Sequence, residues 1–172
     1  MISKNVCIRL GQNFKRLRGL NQCPQVRSAH EVAGLFTELC ELDREVMAAA
    51  VLDCKCRMIC WELVAVGSAN QVMLRQGDVF HAAIANRGSG LIVVHNHPSG
   101  DPTPSRYDLT LTRKLERMGR QLGIPLLDHV IVARGGYKSL VSSESGYSMP
   151  KLPPTRLQRA AENRNVRLFV RR

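Results

Sequence analysis

At 172 residues the chain is sized for one domain with short appendages. Its 44% hydrophobic and 23% charged content is that of an ordinary soluble globular protein, large enough to bury a core without disulfide or metal staples. No run nears the roughly 18 apolar residues of a membrane span, and residues 1–20 lack the apolar centre of a secretory leader. The net charge of +11 sits at the ends: residues 1–27 and 151–172 each carry a net +6 and leave the body at −1, so charge says little about a site within the body.

The six cysteines (Cys7, Cys23, Cys40, Cys54, Cys56, Cys60) form no C-x-x-C pair. They read as small buried hydrophobes in a reducing, cytoplasmic setting. Strand alternation would put Cys54, Cys56 and Cys60 on one packed face, and their spacing is not one that structural zinc favours.

Residues 1–27 read as an irregular basic lead. Ser28 with Glu31 forms a capping-box signature, and Val32, Leu35, Leu39 and Leu42 recur at helical spacing, which predicts a helix over 29–42. Two apolar runs, 46–52 (VMAAAVL) and 57–66 (RMICWELVAV), flank a turn at 53–55 and predict a β-hairpin. A short helix follows Gly77-Asp78 and stops near Gly88. The unbroken apolar run 90–95 (GLIVVH) predicts a strand covered on both faces. A loop over 96–104 leads to a helix over 105–122, where Leu111, Leu115, Met118 and Leu122 keep helical spacing and Gly123 supplies the stop. Strands at 126–133 and 137–141 flank Gly135-Gly136. After Tyr147, MPKLPP breaks the domain and an Arg-rich tail closes the chain. The organisation is therefore a lead over 1–27, a domain over 28–147 and a basic tail over 148–172. The order of elements predicts an α/β/α sandwich with a mixed central sheet.

Chemistry concentrates in 95–108, HNHPSGDPTPSRYD. Histidines at i and i+2 at a strand end project to one side, so His95 and His97 can offer imidazole nitrogens to one ion. The loop then returns the chain to a helix whose first turn holds Asp108. Asp108 lies three and seven residues before Leu111 and Leu115 and so continues the core-facing stripe. Two histidines and a carboxylate leave a fourth position open, the pattern of catalytic zinc. Glu62, in the middle of an apolar strand, is a carboxylate that is costly to bury unless it works or is paired. Near an activated water it could take a proton and pass it to a leaving amine.

Each feature has a plainer reading. Ser105-x-x-Asp108 is also an N-cap arrangement, and Thr103-Pro104 would equally suit a cap with proline at the first helical position. Glu62 could be an edge-strand charge. Of Asp128 and His129, neighbours on one strand, only one can approach the site. His129 reads chiefly as a hydrogen-bonded core histidine and alternatively as an orienter of a ligand. Asp101 fits local backbone bonding in a Gly-Asp-Pro turn, and His30 and His81 read as ordinary helix residues.

Together these residues strongly resemble the metal motif of the JAMM/MPN+ metallopeptidases, H-x-H-x(7)-S-x(2)-D with an upstream Glu. His95, His97, Ser105 and Asp108 fall at those spacings without a gap. The longer string HNHPSGDPTPS is similar to the RadC branch of that superfamily. The likeness runs over about 43–147 and includes Arg44-Glu45, Glu62 five residues before Gly67, and Leu127-Asp128-His129. The resemblance implies a cytidine deaminase-like α/β/α fold, zinc on His95, His97 and Asp108, Glu62 as general base and acid, and Ser105 as an oxyanion donor. It implies hydrolysis of a peptide or isopeptide amide in a protein or peptide substrate.

The rival expectation is a DNA-associated protein without peptidase activity, since the RadC group carries a repair name. The helix-hairpin-helix region of longer members has no room ahead of the first helix here. The basic tails could still bind nucleic acid through phosphate contacts, although few aromatics interleave them to stack bases. A zinc nucleobase deaminase would need H-x-E and P-C-x-x-C, and neither occurs.

Overall fold

A computed structural model of the chain describes residues 24–67 and 74–141 and, by backbone alone, residues 15–16. The expected basic tail lies outside the described residues. Ten elements follow in order: β1 (Lys15–Arg16), α1 (Ala29–Leu35), a 3-10 helix (Thr37–Glu41), β2 (Val46–Leu52), β3 (Met58–Val66), α2 (Gln76–Ala85), β4 (Gly90–Asn96), α3 (Arg106–Leu122), β5 (Leu126–Ala133) and β6 (Gly136–Ser139). The strands form one mixed sheet in the order β1-β3-β2-β4-β5-β6. Only β4 and β5, joined through α3, run parallel; the other neighbouring pairs are antiparallel.

Strand alternation sorts the core into two layers. Val46, Ala48, Ala50 and Leu52 of β2, with Ile92 and Val94 of β4, pack under Val32 of α1, Phe36 at its junction with the 3-10 helix, and Leu39 of that helix. Met47, Ala49 and Val51, with Leu91 and Val93, pack under Val79, Phe80, Ala82 and Ala83 of α2 and Leu111 and Leu115 of α3. Helices cover both faces, so the α/β sandwich expected from the order of elements is the architecture present. Strands β2, β4 and β5 are buried along their whole length, as unbroken apolar runs require when both faces are covered.

Several local expectations are corrected. The helix expected over 29–42 stops at Leu35 and gives way to the 3-10 turn. The Thr37 hydroxyl donates to the carbonyls of Ala33 and Gly34 at 3.0 and 3.1 Å, and such back-bonding competes with helix continuation. The Ser28 cap is present, accepting from the Glu31 amide, but the Glu31 carboxylate reaches back to the Arg27 amide. The lead is not wholly irregular: Lys15–Arg16 pairs with Trp61 and Cys60, Gln25 bridges to Arg57, and Val26 is fully buried. Cys54, Cys56 and Cys60 do not share a packed face. Cys60 is buried, but Cys54 sits exposed in the hairpin turn beside half-buried Cys56, whose φ of 57° ends the strand alternation.

Helix α3 places the site. It buries Asp108, Leu111 and Leu115 as the spacing predicts, together with Thr112 and Gly119, while Met118 is half-buried and Leu122, expected on the same stripe, is exposed. It ends at Gly123 with φ of 70°, a left-handed position that suits glycine. Gly119 lets the helix lie against the start of β5, where an added Cβ would meet the Ile124 carbonyl at 2.6 Å and the Leu126 amide at 3.0 Å.

Candidate metal centre

The site forms where β4 runs out. His95 is the penultimate residue of the strand and points to the α2–α3 side, as do Val93 and Leu91 two and four residues before it. His97 continues the ladder by one residue, its amide donating to Val132 O at 3.0 Å. Between them Asn96 faces the other way and is completely buried. Its Oδ1 accepts the Val46 amide at 2.7 Å and its Nδ2 donates to the Arg44 carbonyl at 3.1 Å, which ties the end of β4 to the start of β2.

The loop that follows is held by its own side chains. The Gly100 amide closes a turn onto His97 O, and the Gly135 amide donates to Gly100 O. Asp101 accepts from Thr103 through both amide and hydroxyl, the local bonding expected for it, and its carboxyl points to no ligand. Ser105 is the N-cap of α3. Its amide and hydroxyl donate to Asp108 Oδ2 at 2.7 and 2.6 Å, and its Oγ accepts the Asp108 amide at 3.1 Å. The capping box and the presentation of Asp108 are thus one structure. The two readings weighed for Ser105-x-x-Asp108 do not compete.

Three atoms converge. His95 Nε2 lies 3.0 Å from His97 Nε2 and 3.3 Å from Asp108 Oδ1, and His97 Nε2 lies 3.6 Å from Asp108 Oδ2. The three residues form a group whose ligand atoms all lie within 4.8 Å of one another and could hold a metal ion. His95 is completely buried and Asp108 is 2% exposed, while His97 is half-buried and opens the site to solvent. Burial pushes the Asp108 carboxyl up, but the bonds from His95, His97 and Ser105 outweigh it and hold it well below the ordinary carboxylate range. The bond to Asp108 raises His97 against its own burial. These residues fit a divalent ion: a carboxylate that stays ionised faces two imidazole nitrogens, and outer partners engage the far side of each ring. The His97 Nδ1 lies 2.9 Å from Asp101 O, and the His95 Nδ1 lies 2.8 Å from His129 Nε2.

His129 is where the plainer sequence reading falls short. It is a buried, hydrogen-bonded histidine as expected, but its partners are His95 and, at 2.6 Å, Thr112 Oγ1 of α3. Burial pushes its pKa down to about 3, so the ring is neutral. Asp128 faces away, accepting from the His129 amide, Ser139 Oγ and the Val141 amide, and secures β6 instead.

Glu62 lies on the same side of the sheet as the three ligands. One register row runs Glu62, Ala49, Val93, His129 across four strands, and His95 is two residues beyond Val93. Its side chain is 24% exposed, less buried than its apolar flanks imply. Its Oε2 is nevertheless shielded and has no hydrogen-bond partner among the described residues. His81 of α2 brings its Nδ1 to 3.7 Å from that oxygen, a neighbour that no motif around His81 singles out.

Among the described residues no helix is long and apolar enough to cross a membrane. Residues 26–147 match the RadC-like JAB domain. The chain is 41% identical over 139 residues to a UPF0758 protein of Thermotoga maritima, an alignment covering 80% of this chain and 62% of that protein. It is 44% identical over 117 residues to a UPF0758 protein of Roseiflexus castenholzii, covering 67% and 50%, and 42% identical over 124 residues to one of Methanococcoides burtonii, covering 72% and 53%. The chain therefore spans half to three-fifths of the length of these relatives. On the strength of the matched domain and these identities, the chain belongs to the RadC-like JAB domain family.

Proposed function

We propose that this domain is a zinc-dependent hydrolase of the JAMM type that cleaves a peptide or isopeptide amide. The observation that carries the reading is the convergence of His95 Nε2, His97 Nε2 and an Asp108 carboxylate oxygen on one partly open point. Two imidazoles and one carboxylate are a ligand set of catalytic zinc, which keeps a further position for water or substrate. Held by these three residues, zinc would supply Lewis acidity toward a scissile carbonyl and a water.

The chain's own groups handle the protons and the orientation. Glu62 Oε2, shielded and with no hydrogen bond to surrender, takes the proton of the attacking water and returns it to the departing amide nitrogen. Asp108 remains ionised throughout, because its bonds depress its pKa. Ser105 presents its hydroxyl at the ligand carboxylate and serves as oxyanion donor by turning that hydroxyl from Asp108 Oδ2 toward the substrate oxygen.

The test is hydrolysis of a mixed peptide and isopeptide library by zinc-loaded protein, by chelated protein and by zinc-loaded Glu62→Gln. Cleavage by the loaded wild type alone is expected, with Glu62→Gln retaining zinc and losing on the order of 10²–10⁴ in rate. Cleavage that survives chelation, or full activity in Glu62→Gln, would refute the reading.

A further inference from the structure

A metal-ligating histidine must present a bare nitrogen, and the hydrogen bond at its other nitrogen decides which one that is. For His97 the matter is simple. The Asp101 carbonyl can only accept, so Nδ1 carries a proton and Nε2 is the nitrogen left for a metal. For His95 the partner is another histidine, which could donate or accept, so the polarity has to be followed further.

The chain of contacts is His95 Nδ1 to His129 Nε2 at 2.8 Å, His129 Nδ1 to Thr112 Oγ1 at 2.6 Å, and Thr112 Oγ1 to the Asp108 main-chain carbonyl at 2.7 Å. That last contact is one turn back on α3 from Thr112. A hydroxyl has one proton, and a carbonyl oxygen has none. Two oxygens 2.7 Å apart with no proton between them would repel, so the Thr112 proton lies on Asp108 O. Thr112 must then accept at its lone pair, which puts a proton on His129 Nδ1. A completely buried neutral imidazole carries only one, which leaves His129 Nε2 bare. His95 Nδ1 must therefore donate, which leaves Nε2, aimed at Asp108 and His97, as the nitrogen available to a metal.

We infer that Thr112 and His129 are positioning residues that fix the His95 tautomer, with the Asp108 main-chain carbonyl as the anchor of the relay. The inference rests on the metal-centre reading of the three ligands. Asp108 enters twice, its carboxylate as a ligand and its carbonyl as the anchor that sets the polarity of another ligand. The relay ties the Asp108–Thr112 turn of α3 to His129 of β5 and His95 of β4, so the position of the helix and the protonation pattern of the site are coupled. Replacing Thr112 with valine keeps the shape and removes the acceptor. His129 would then lose its Nδ1 partner and shift its proton to Nε2, which forces His95 into the Nε2–H form that cannot ligate from that atom.

The relay can be examined without metal by long-range ¹H–¹⁵N NMR of the imidazoles in the full chain, which reports the ring nitrogen that carries each proton. Both His95 and His129 are expected to carry a proton on Nδ1 in metal-free wild type. Either one found with Nδ1 unprotonated overturns the inference, whether or not the protein binds zinc. Zinc titration of wild type, Thr112→Val and Thr112→Ser supplies the second arm. Thr112→Val is expected to bind zinc about 10–100-fold more weakly, with Thr112→Ser restoring affinity. Equal affinity in wild type and Thr112→Val would overturn the relay while leaving the metal reading intact. A wild type that takes up no zinc but shows both Nδ1 protons would sink the metal reading and support the relay.

Discussion

Asn96 offers the sharpest test of how the strand end is built. It sits between the two histidines with no exposed surface, and its side chain closes the junction of β4 with the start of β2. In Asn96→Ala the Val46 amide, on a residue 1% exposed, loses its acceptor and has no solvent at hand to replace it. A buried donor left unpaired costs about 1–3 kcal/mol. Arg44 lies at the surface with its side chain 57% exposed, so its carbonyl can turn to solvent and adds little. The missing amide group leaves a small void worth about 1 kcal/mol. The sum is roughly 2–4 kcal/mol, which for a chain of this size lowers the melting midpoint by about 4–16 °C. Thermal unfolding of the metal-free protein followed by circular dichroism measures it directly. Zinc affinity should fall in the same variant, because the two ligands either side of Asn96 lose their common tether. An unchanged midpoint would show that Val46 and Arg44 find other partners and that the clamp is incidental.

Gly119→Ala should destabilise the domain by about 1–3 kcal/mol despite alanine's better helix propensity, because its methyl would strike the backbone of Ile124 and Leu126. Denaturant unfolding would check this, and a stabilised variant would refute the close approach of α3 to β5. The metal-free domain should also be most stable near pH 6.5. His129, pushed down to about 3 by burial, stays neutral in the fold while the unfolded chain binds a proton below about pH 6.5, so stability falls by up to roughly 1.4 kcal/mol per pH unit on acidification. His97 has the opposite sign: raised by its bond to Asp108, it contributes stability that is present below its unfolded pKa and lost as pH rises through its folded pKa. Asp108 adds a loss below the ordinary carboxylate range, since its folded pKa is depressed. Melting midpoints measured from about pH 4 to about pH 9 should form a maximum, and a monotonic rise with pH would contradict the assignment for His97.

The parts of this fold that are legible in the sequence are those with a short period. Alternation and unbroken apolar runs place β2, β4 and β5, and the 3.6-residue stripe of α3 by itself turns Asp108 inward. The His-x-His pair at a strand end needs only the strand period to be read as converging. What stays hidden depends on partners far away in the chain. Asn96 closes contacts across 50 residues, and the His95–His129 contact spans 34. Neither leaves a local mark, so His129 reads first as a core histidine and only alternatively as the orienter of a ligand. Thr112 offers no signal beyond a polar residue next to the buried stripe, and its role depends on what lies across from it on β5. The overlong first helix is a different kind of miss: the apolar spacing does continue through Leu39, but the Thr37 hydroxyl takes carbonyls that the helix would have used. Glu62 stands out by its anomaly, a carboxylate in an apolar strand, and the register row places it on the side of the ligands.

The central claim is that His95, His97 and Asp108 hold one metal ion. Elemental analysis of metal per chain, in wild type and in His97→Ala and Asp108→Ala, tests it most directly. The account predicts about one zinc per wild-type chain and its loss in both variants, each of which removes one of three ligands. Wild-type protein that carries no metal and takes up none when folded protein is given zinc would contradict it, as would variants that retain the wild-type content.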